Sequence, residues 1–481
     1  MEEELTKSHH ANRYRILTAV MLGGIMGPID ASVINVNYHI IGNHFGVALT
    51  EAQWVVMVYL LTVSSLLLFY GRLGDILGYK KIYLIGLSGF TITSLLCSLS
   101  YFLPSISWLI LFRAIQGTTA GMMMSVPYAI IVSSFPPQER GRALGINAIS
   151  VSTGLAIGPS LGGFITHLAG WPYIFLINVP IGIIGLWWGN KVIPELKGKP
   201  GKIDVGGAIT NCLFLFSFLF FLNRFPAQGI NSTTLFTAVV ALVAFFSFLI
   251  IEKRADSPLI NLQLFHNLSF SLANLCALLN FMSQYILVTL TPSYLNRVLQ
   301  YEQSEVGLLL TIFPLTTLVV APFAGSLSDR INPRFLAFLG ATFCTLSLFS
   351  LSQLPIYVGT ADIAWRLALF GLGTGIFQSP NMNIAMGSVP REHLGVASSI
   401  LATVRNVGMV LGTATGGGII SASVPSSILQ GLEKLLDKEA SIFMQGLKNA
   451  YLWGAILTGI AALVSLLIPH YNSGASYQSH N

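Results

Sequence analysis

Charge is scarce in this sequence. Asp, Glu, Lys and Arg make up 9% of its 481 residues and hydrophobic side chains 53%, a balance that leaves too little polar surface to wrap the apolar mass in water as an ordinary globular domain does. A nucleic-acid binder is excluded too: the formal net charge is +6, but the Lys and Arg are spread among loops instead of gathering on one face or tail. The four cysteines, Cys97, Cys212, Cys276 and Cys344, all fall within apolar segments. There they read as small buried hydrophobes, so neither a disulfide nor a metal site is expected. His9, His10, His39, His44, His167, His266, His393, His470 and His480 are mostly terminal or in loops. No acid, histidine and nucleophile gather at one membrane face, as an enzyme acting on lipid or polyprenyl substrates requires, so no enzyme is expected. The opening MEEELTKSHH is acidic and polar, and the apolar stretch behind it lacks a small-residue cleavage site; the first helix is expected to be retained.

What the sequence has in quantity is apolar runs. A helix needs roughly 20 mostly apolar residues to cross a bilayer core. Runs of that kind predict fourteen helices, near 16–36, 52–70, 82–102, 107–132, 143–168, 173–193, 205–223, 233–251, 269–295, 304–327, 335–354, 363–388, 395–421 and 448–469. The expected fold class is all-α integral membrane, with no room for a soluble or signalling domain. Lys and Arg are retained on the cytoplasmic side of membranes. With the N-terminus inside, the exceptions are Arg113, Arg366 and Arg405 within helices, and Arg224, Arg297, Lys434, Lys438 and Lys448 outside. An even number of helices then places the C-terminus in the cytoplasm as well. Residues 426–447 set Ile428, Leu429, Leu432, Leu435, Leu436 and Phe443 at helical spacing among Glu433, Lys434, Asp437, Lys438 and Glu439. This is the pattern of an amphipathic helix on the outer surface, or of a solvated loop helix.

A self-match at one constant offset organises the chain. Asp75 and Asp329 differ by 254, and so do Gly71 and Gly325, Leu73 and Leu327, Gly117 and Gly371, Gly121 and Gly375, and Gly154 and Gly408. Gly158, Gly162 and Gly163 pair in the same way with Gly412, Gly416 and Gly417. So many matches at one shift argue for a duplicated architecture. Helices two to five correspond to ten to thirteen, which leaves seven and eight as an additional pair and gives a six, two, six order. The segments are then a cytoplasmic tail over 1–15, a bundle over 16–193, the extra pair with its linkers over 194–268, a second bundle over 269–469 and a cytoplasmic tail over 470–481. Repeats related by an axis along the membrane normal build many secondary transporters, with the substrate site between the halves.

Three motifs carry the functional reading. GRLGDILGYKK, from Gly71 to Lys81, reads as a tight turn after helix two. Its Asp75 is placed to accept hydrogen bonds from a helix N-terminus or to pair with an Arg or Lys of a neighbouring helix, locking one conformation. Gly78, Lys80 and Lys81 belong to the same turn, and GSLSDRINPR, with Asp329 and Arg330, is its partial copy. In GLAIGPSLGG on helix five, Gly154, Gly158 and Gly162 stand on one face ahead of Gly163, a spacing that lets helix backbones touch in lipid; Pro159 favours a bend. Charges inside helices are the third signal, because each costs at least about 2.5–3.5 kcal/mol at mid-membrane. Asp30 is the one acid deep in a helix, two residues after Pro28 and five before Asn35. It is read as a coupling acid or a group recognising a cationic substrate, against a carboxylate permanently paired to stabilise the bundle. Arg113, in FRAIQG on helix four, is placed to modulate the proton affinity of a neighbouring acid. Asn35, Trp54, Gln284, Tyr285, Gln378, Asn381 and Arg405 are the candidates for lining a substrate cavity, with Asn383 beside them.

These residues resemble the major facilitator superfamily, and within it the fourteen-helix drug:proton antiporters of the EmrB/QacA type, over nearly the whole chain. GRLGDILGYKK looks like the family's loop between helices two and three, FRAIQG like its helix-four arginine motif and GLAIGPSLGG like the helix-five motif associated with antiport; Trp54, Tyr59 and WPYIFLINVPIG also fit. The resemblance implies that Arg113 takes part in proton relay, Asp75 in conformational gating, Pro159 in the antiporter bend and Asp30 in proton or cation handling. Two places depart from it: Asn37, Tyr38 and His39 follow Val36 on helix one, and Pro172 follows Trp171. The expected function is proton-coupled efflux of small amphipathic or cationic compounds across the cell (inner) membrane by alternating access. A proton gradient takes the place of any cofactor, and the partners are the substrate and the lipid bilayer, with a periplasmic adaptor left open. A dedicated exporter of one metabolite, siderophore or lipid, or a proton symporter on the same fold, is the alternative.

Overall fold

The computed structural model describes residues 12–469 apart from 48, 53, 196–197, 199–203, 230, 256–261, 391–392 and 426–436. Its long helices are α1 (Arg13–Phe45), α2 (Trp54–Leu77), α3 (Tyr79–Leu99), α4 (Ile106–Ser125), α5 (Arg140–Ala169), α6 (Asn178–Val192), α7 (Val205–Gln228), α8 (Ser232–Arg254), α9 (Leu268–Arg297), α10 (Gln303–Ser328), α11 (Pro333–Ser352), α12 (Thr360–Gly387), α13 (Leu394–Ser423) and α14 (Asp437–Leu467). Among the described residues, 12 helices are long and apolar enough to cross a membrane. The other two, α5 and α12, are 30 and 28 residues long but richer in Gly, Ser and Asn. Helix α12 buries Ser379, Asn381 and Asn383, so part of its surface meets protein where a lipid-facing helix would carry apolar side chains. The chain is an all-helical, multi-pass membrane protein.

Two bundles, α1–α6 and α9–α14, meet along two seams, α2 against α13 and α5 against α10. Helices α7 and α8 pack on each other, and α7 lies on both α2 and α13, covering the first seam. The glycine faces explain how the bundles close. A Cβ on Gly154 would come within 2.8 Å of Pro28 Cβ, and one on Gly158 would overlap the Ser32 hydroxyl of α1. On α13, Gly408 and Gly412 meet α9 in the same way, with Met282 O only 2.2 Å from a Cβ built on Gly412. Ser32 Oγ donates to the carbonyl of Gly154 at 3.2 Å, a bond available only to touching backbones. Gly163 and Gly417 have open space around their Cβ positions and take no part in this packing.

Several expected boundaries shift. Helix α2 continues to Leu77, so Gly71 to Asp75 are helical and only Gly78, at φ 96°, turns the chain into α3, which Tyr79, Lys80 and Lys81 open. Gly71 does not end the helix because it is needed inside it: a Cβ there would lie 2.1 Å from Ser399 Oγ and 2.6 Å from the Gly395 carbonyl of α13. Helix α1 runs on to Phe45 and closes at Gly46, φ 64°. The fourth helix breaks at Val126, where Pro127 starts the short continuation Pro127–Ser134. The amphipathic segment expected over 426–447 does not lie on the outer surface where it is described. Residues 426–436 fall outside the described residues, and 437–447 are the first turns of α14. Phe443, Met444 and Leu447 are buried in the core of the second bundle, so the apolar face is satisfied by protein.

Candidate functional site

Five helices converge on one ion pair. Arg113 Nη1 of α4 donates to Asp30 Oδ2 of α1 at 2.5 Å and to Gln116 Oε1 at 2.7 Å. Its Nε donates to the Val55 carbonyl of α2 at 3.0 Å. The other oxygen of Asp30 accepts from Gln116 Nε2 at 3.2 Å and from Asn178 Nδ2 of α6 at 3.1 Å, and Gln116 Nε2 also donates to Ser94 Oγ of α3 at 2.8 Å. The ring of Tyr59 lies 4.0 Å from the guanidinium carbon, a cation–π contact that gains strength where water is excluded. Asp30 and Arg113 are 1% and 0% exposed. One guanidinium nitrogen, Arg113 Nη2, and the Tyr59 hydroxyl are left without a hydrogen-bond partner. A buried pair of this kind is held by its geometry, and removing either member strands the other.

A second arrangement joins the halves at the membrane face where α1 begins. Asp75, near the end of α2, accepts from the backbone N–H groups of Gly395 and Val396 at 2.8 and 3.1 Å and from the Tyr79 hydroxyl at 2.8 Å. Asp329, which caps the end of α10, accepts from the N–H groups of Gly141 and Arg142 at 2.8 and 3.0 Å. Each carboxylate thus caps the first turn of a helix in the opposite half, where unsatisfied N–H groups and the helix dipole favour an anion. The repeat governs donors as well as acceptors, since Gly395 and Val396 stand 254 residues after Gly141 and Arg142. Of the two options for Asp75, the helix N-terminus is the one realised. The side chains of Lys80, Lys81 and Arg330 make no hydrogen bond or ion pair among the described residues. Burial pushes the Asp329 carboxyl up to about 6, with help from the charge of Glu139 and against the pull of the Arg142 and Gly141 N–H groups.

A small pocket between the bundles is lined by Tyr128, Phe281, Phe377, Gln378, Asn381 and Arg405, among others. Of the expected cavity residues, Gln378, Asn381 and Arg405 are therefore together. Tyr285 is close enough to Arg405 to feel its charge. Gln284 is buried with its carbonyl oxygen unpartnered and does not line this pocket. Trp54 turns toward the extra pair of helices, its ring 5.6 Å from that of Phe220 and beneath Arg224. The side chain of Asn35 lies outside the described residues. Pro159 lies within the continuous helix α5, and its side chain is likewise outside them. All four cysteines are free thiols.

The sequence profile of the Major Facilitator Superfamily matches residues 20–413 and again 273–475. The chain belongs to this superfamily. It is 33% identical over 408 residues to the riboflavin transporter RibZ of Clostridioides difficile, covering 84% of this chain and 87% of the relative. To the multidrug resistance protein Stp of Mycobacterium tuberculosis it is 30% identical over 428 residues, 88% of this chain and 79% of the relative. Among solved structures, the proton:xylose symporter XylE superposes with a TM-score of 0.66 at 14% identity, covering 96% of this chain and 97% of that one, a likeness of fold alone. The protein is a superfamily transporter, a non-enzymatic class.

Residue types alone did not single out every part of this transporter's machinery. Gly141 and Gly395 supply N–H groups to Asp329 and Asp75, and their signal was available: they obey the 254 offset. Asn178 sits inside WPYIFLINVPIG and Gln116 inside FRAIQG, each a polar residue in an apolar helix and so in need of a partner. Ser94 carries no comparable signal, because a serine hydroxyl in a membrane helix readily bonds its own backbone, and Tyr79 carries none because a tyrosine near a helix end equally suits the membrane interface.

Proposed function

We propose that this transporter is a proton-coupled exporter of small amphipathic compounds. In this reading the chain crosses the cell (inner) membrane fourteen times in a six, two, six order with both ends in the cytoplasm, and the gradient of protons replaces any cofactor. The buried pair of Asp30 and Arg113 carries the reading. It is a titratable acid at mid-membrane, held by groups from five helices, so a change in its charge is felt by most of one bundle. A proton arriving on Asp30 cancels the attraction that holds Arg113, and Tyr59, which stacks on Arg113 and also feels Arg405, relays the release to the seam between the halves. The two carboxylate latches hold the cytoplasmic face closed in the state described. Opening the other state requires Asp75 and Asp329 to leave α13 and α5, as rigid-body rocking of the bundles demands. The glycine face of α5 against α1 supports antiport by keeping backbones in contact with no room for a water file.

Proton flux in liposomes holding the purified protein tests the proposal. Amphipathic compounds are expected to evoke proton movement opposite in direction to their own, and Asp30→Asn to abolish it. A wild type that transports such compounds with no proton movement sinks the coupling. The resemblance to RibZ favours a second reading, a dedicated carrier of one planar metabolite. Response to a single compound out of a broad panel would select it.

A further inference from the structure

The charged side chains within the helices are not equally provided for. Arg113 has Asp30, and Arg366 pairs with Asp362 at 3.3 Å. Arg405, midway along α13, has no hydrogen bond and no ion pair among the described residues, yet it lines the pocket between the bundles. Arg405 is half-buried, and a guanidinium within a membrane helix without a counter-charge is costly, so its position there calls for an anion that comes and goes. The rest of the pocket suits an aromatic body. Tyr128, Phe281 and Phe377 line it with aromatic side chains, and Tyr285 and Tyr59 stand within electrostatic reach of Arg405. Asn381, 1% exposed, fixes its amide nitrogen on the Ala273 carbonyl at 3.0 Å and leaves its oxygen unpartnered in the same pocket. No acid lines the pocket, and both oxygens of Asp30, the acid that the sequence offers for meeting a cation, are occupied by Arg113, Gln116 and Asn178.

We propose that Arg405 is the anchor for an anionic group, a carboxylate or phenolate, on a planar aromatic substrate whose own N–H or O–H group donates to Asn381. This rests on the transport reading above but narrows it, turning the site away from the cationic compounds that Asp30 alone suggests. Arginine suits the task because its planar fork matches a carboxylate and stacks on rings.

The test uses two dyes with one xanthene core and opposite charge, anionic fluorescein and cationic rhodamine 6G. Binding to the full-length protein in detergent is followed by fluorescence polarisation with no proton gradient. Fluorescein is expected to bind saturably and at least about tenfold more tightly than rhodamine 6G. Arg405→Gln should weaken fluorescein by about tenfold or more at an unchanged thermal midpoint, and Arg405→Lys should fall between the two. The proposal is overturned if rhodamine 6G binds as well or better, if Arg405→Gln leaves fluorescein unaffected, or if neither dye binds saturably. Because binding is read at equilibrium, a failure of proton coupling in liposomes leaves this result standing, and the reverse also holds.

Discussion

At the level of mid-membrane, the same helix crossing is built twice and filled differently. The 254 offset carries Asp30 to Gln284, Tyr59 to Phe313, Arg113 to Leu367 and Gln116 to Phe370. In the first half these positions hold the buried ion pair; in the second, Phe313 and Phe370 touch ring to ring at 5.4 Å, and Leu367 is fully buried. The backbone crossing is alike in both, since a Cβ on Gly117 would lie 2.8 Å from the Tyr59 carbonyl and one on Gly371 2.4 Å from the Phe313 carbonyl. This chain therefore packs the second crossing without an ion pair, from apolar side chains and the neutral Gln284. Buried pairs are often no more stabilising than apolar groups of the same volume, so stability does not account for Asp30 and Arg113. What they add, in the proposed coupling, is a buried charge held by five helices.

The strongest way to break that comparison is to erase it. Asp30→Gln, Tyr59→Phe, Arg113→Leu and Gln116→Phe together copy the second half's filling into the first. This variant is expected to fold, with a thermal midpoint close to wild type, while substrate-evoked proton flux disappears. Arg113→Leu alone should cost about 3–5 kcal/mol, because it strands Asp30 in the protein interior. If the fourfold variant unfolds as readily as the single one, the ion pair is structural after all.

The two latches offer a milder contrast. Asp75 is 7% exposed and has Tyr79 as a third donor; among the described residues Asp329 has only the two N–H groups as donors, and it is half-buried. Hydrogen bonds to charged groups are worth about 1.5–3 kcal/mol, so Asp75→Ala should open the face where α1 begins more than Asp329→Ala. Spin-label distances across the seam between α2 and α13 and across that between α5 and α10 would rank them. Equal effects would mean that Tyr79 adds nothing.

Much of this was legible in the sequence, for identifiable reasons. Membrane helices announce themselves by composition, and the offset that links Asp75 to Asp329 exposed the duplication before any contact was known. Asp30 and Arg113 stood out because charge is costly in lipid, although their pairing was not determined: nothing in the spacing of residues 30 and 113 says that two helices bring them together. The surroundings of Trp54 were no easier to read, since an aromatic ring near a helix end fits a cavity and a packed surface equally well; its ring meets Phe220 of α7. Gly71 was read as a helix end because glycine usually is one. Only the approach of α13 shows why glycine belongs inside α2.

The glycine faces sharpen the comparison of halves further. Gly158→Ala would press on the Ser32 hydroxyl, which can rotate away, and on its Cβ at 2.8 Å, which yields only by a small shift of α1, whereas Gly412→Ala would press on the Met282 carbonyl at 2.2 Å with the Met282 Cα and carbonyl carbon behind it at 2.9 Å. Overpacking costs about 1–3 kcal/mol, and thermal unfolding should place Gly412→Ala near the top of that range and Gly158→Ala near the bottom. Gly163→Ala and Gly417→Ala, with open space around them, should stay within about 0.5 kcal/mol of wild type.

The smallest expected effect concerns pH at the second latch. With the face closed, burial holds the Asp329 carboxyl at about 6, above the 3.8 of an ordinary aspartate. Once that face opens and water reaches the side chain, the ordinary value returns. A state that binds a proton more tightly is favoured as pH falls. Acidification through about 6 should therefore add closed population at the seam of α5 and α10, and that gain should be lost again as pH rises through the same value. In Asp329→Asn this part of the pH dependence disappears, which spin-label distances across that seam at neutral and mildly acidic pH would show. If the wild-type seam opens on acidification instead, the charge-assisted hydrogen bonds from Gly141 and Arg142 outweigh the cost of burying the carboxylate. The latch would then release on protonation, the opposite of the tightening that burial of Asp329 predicts.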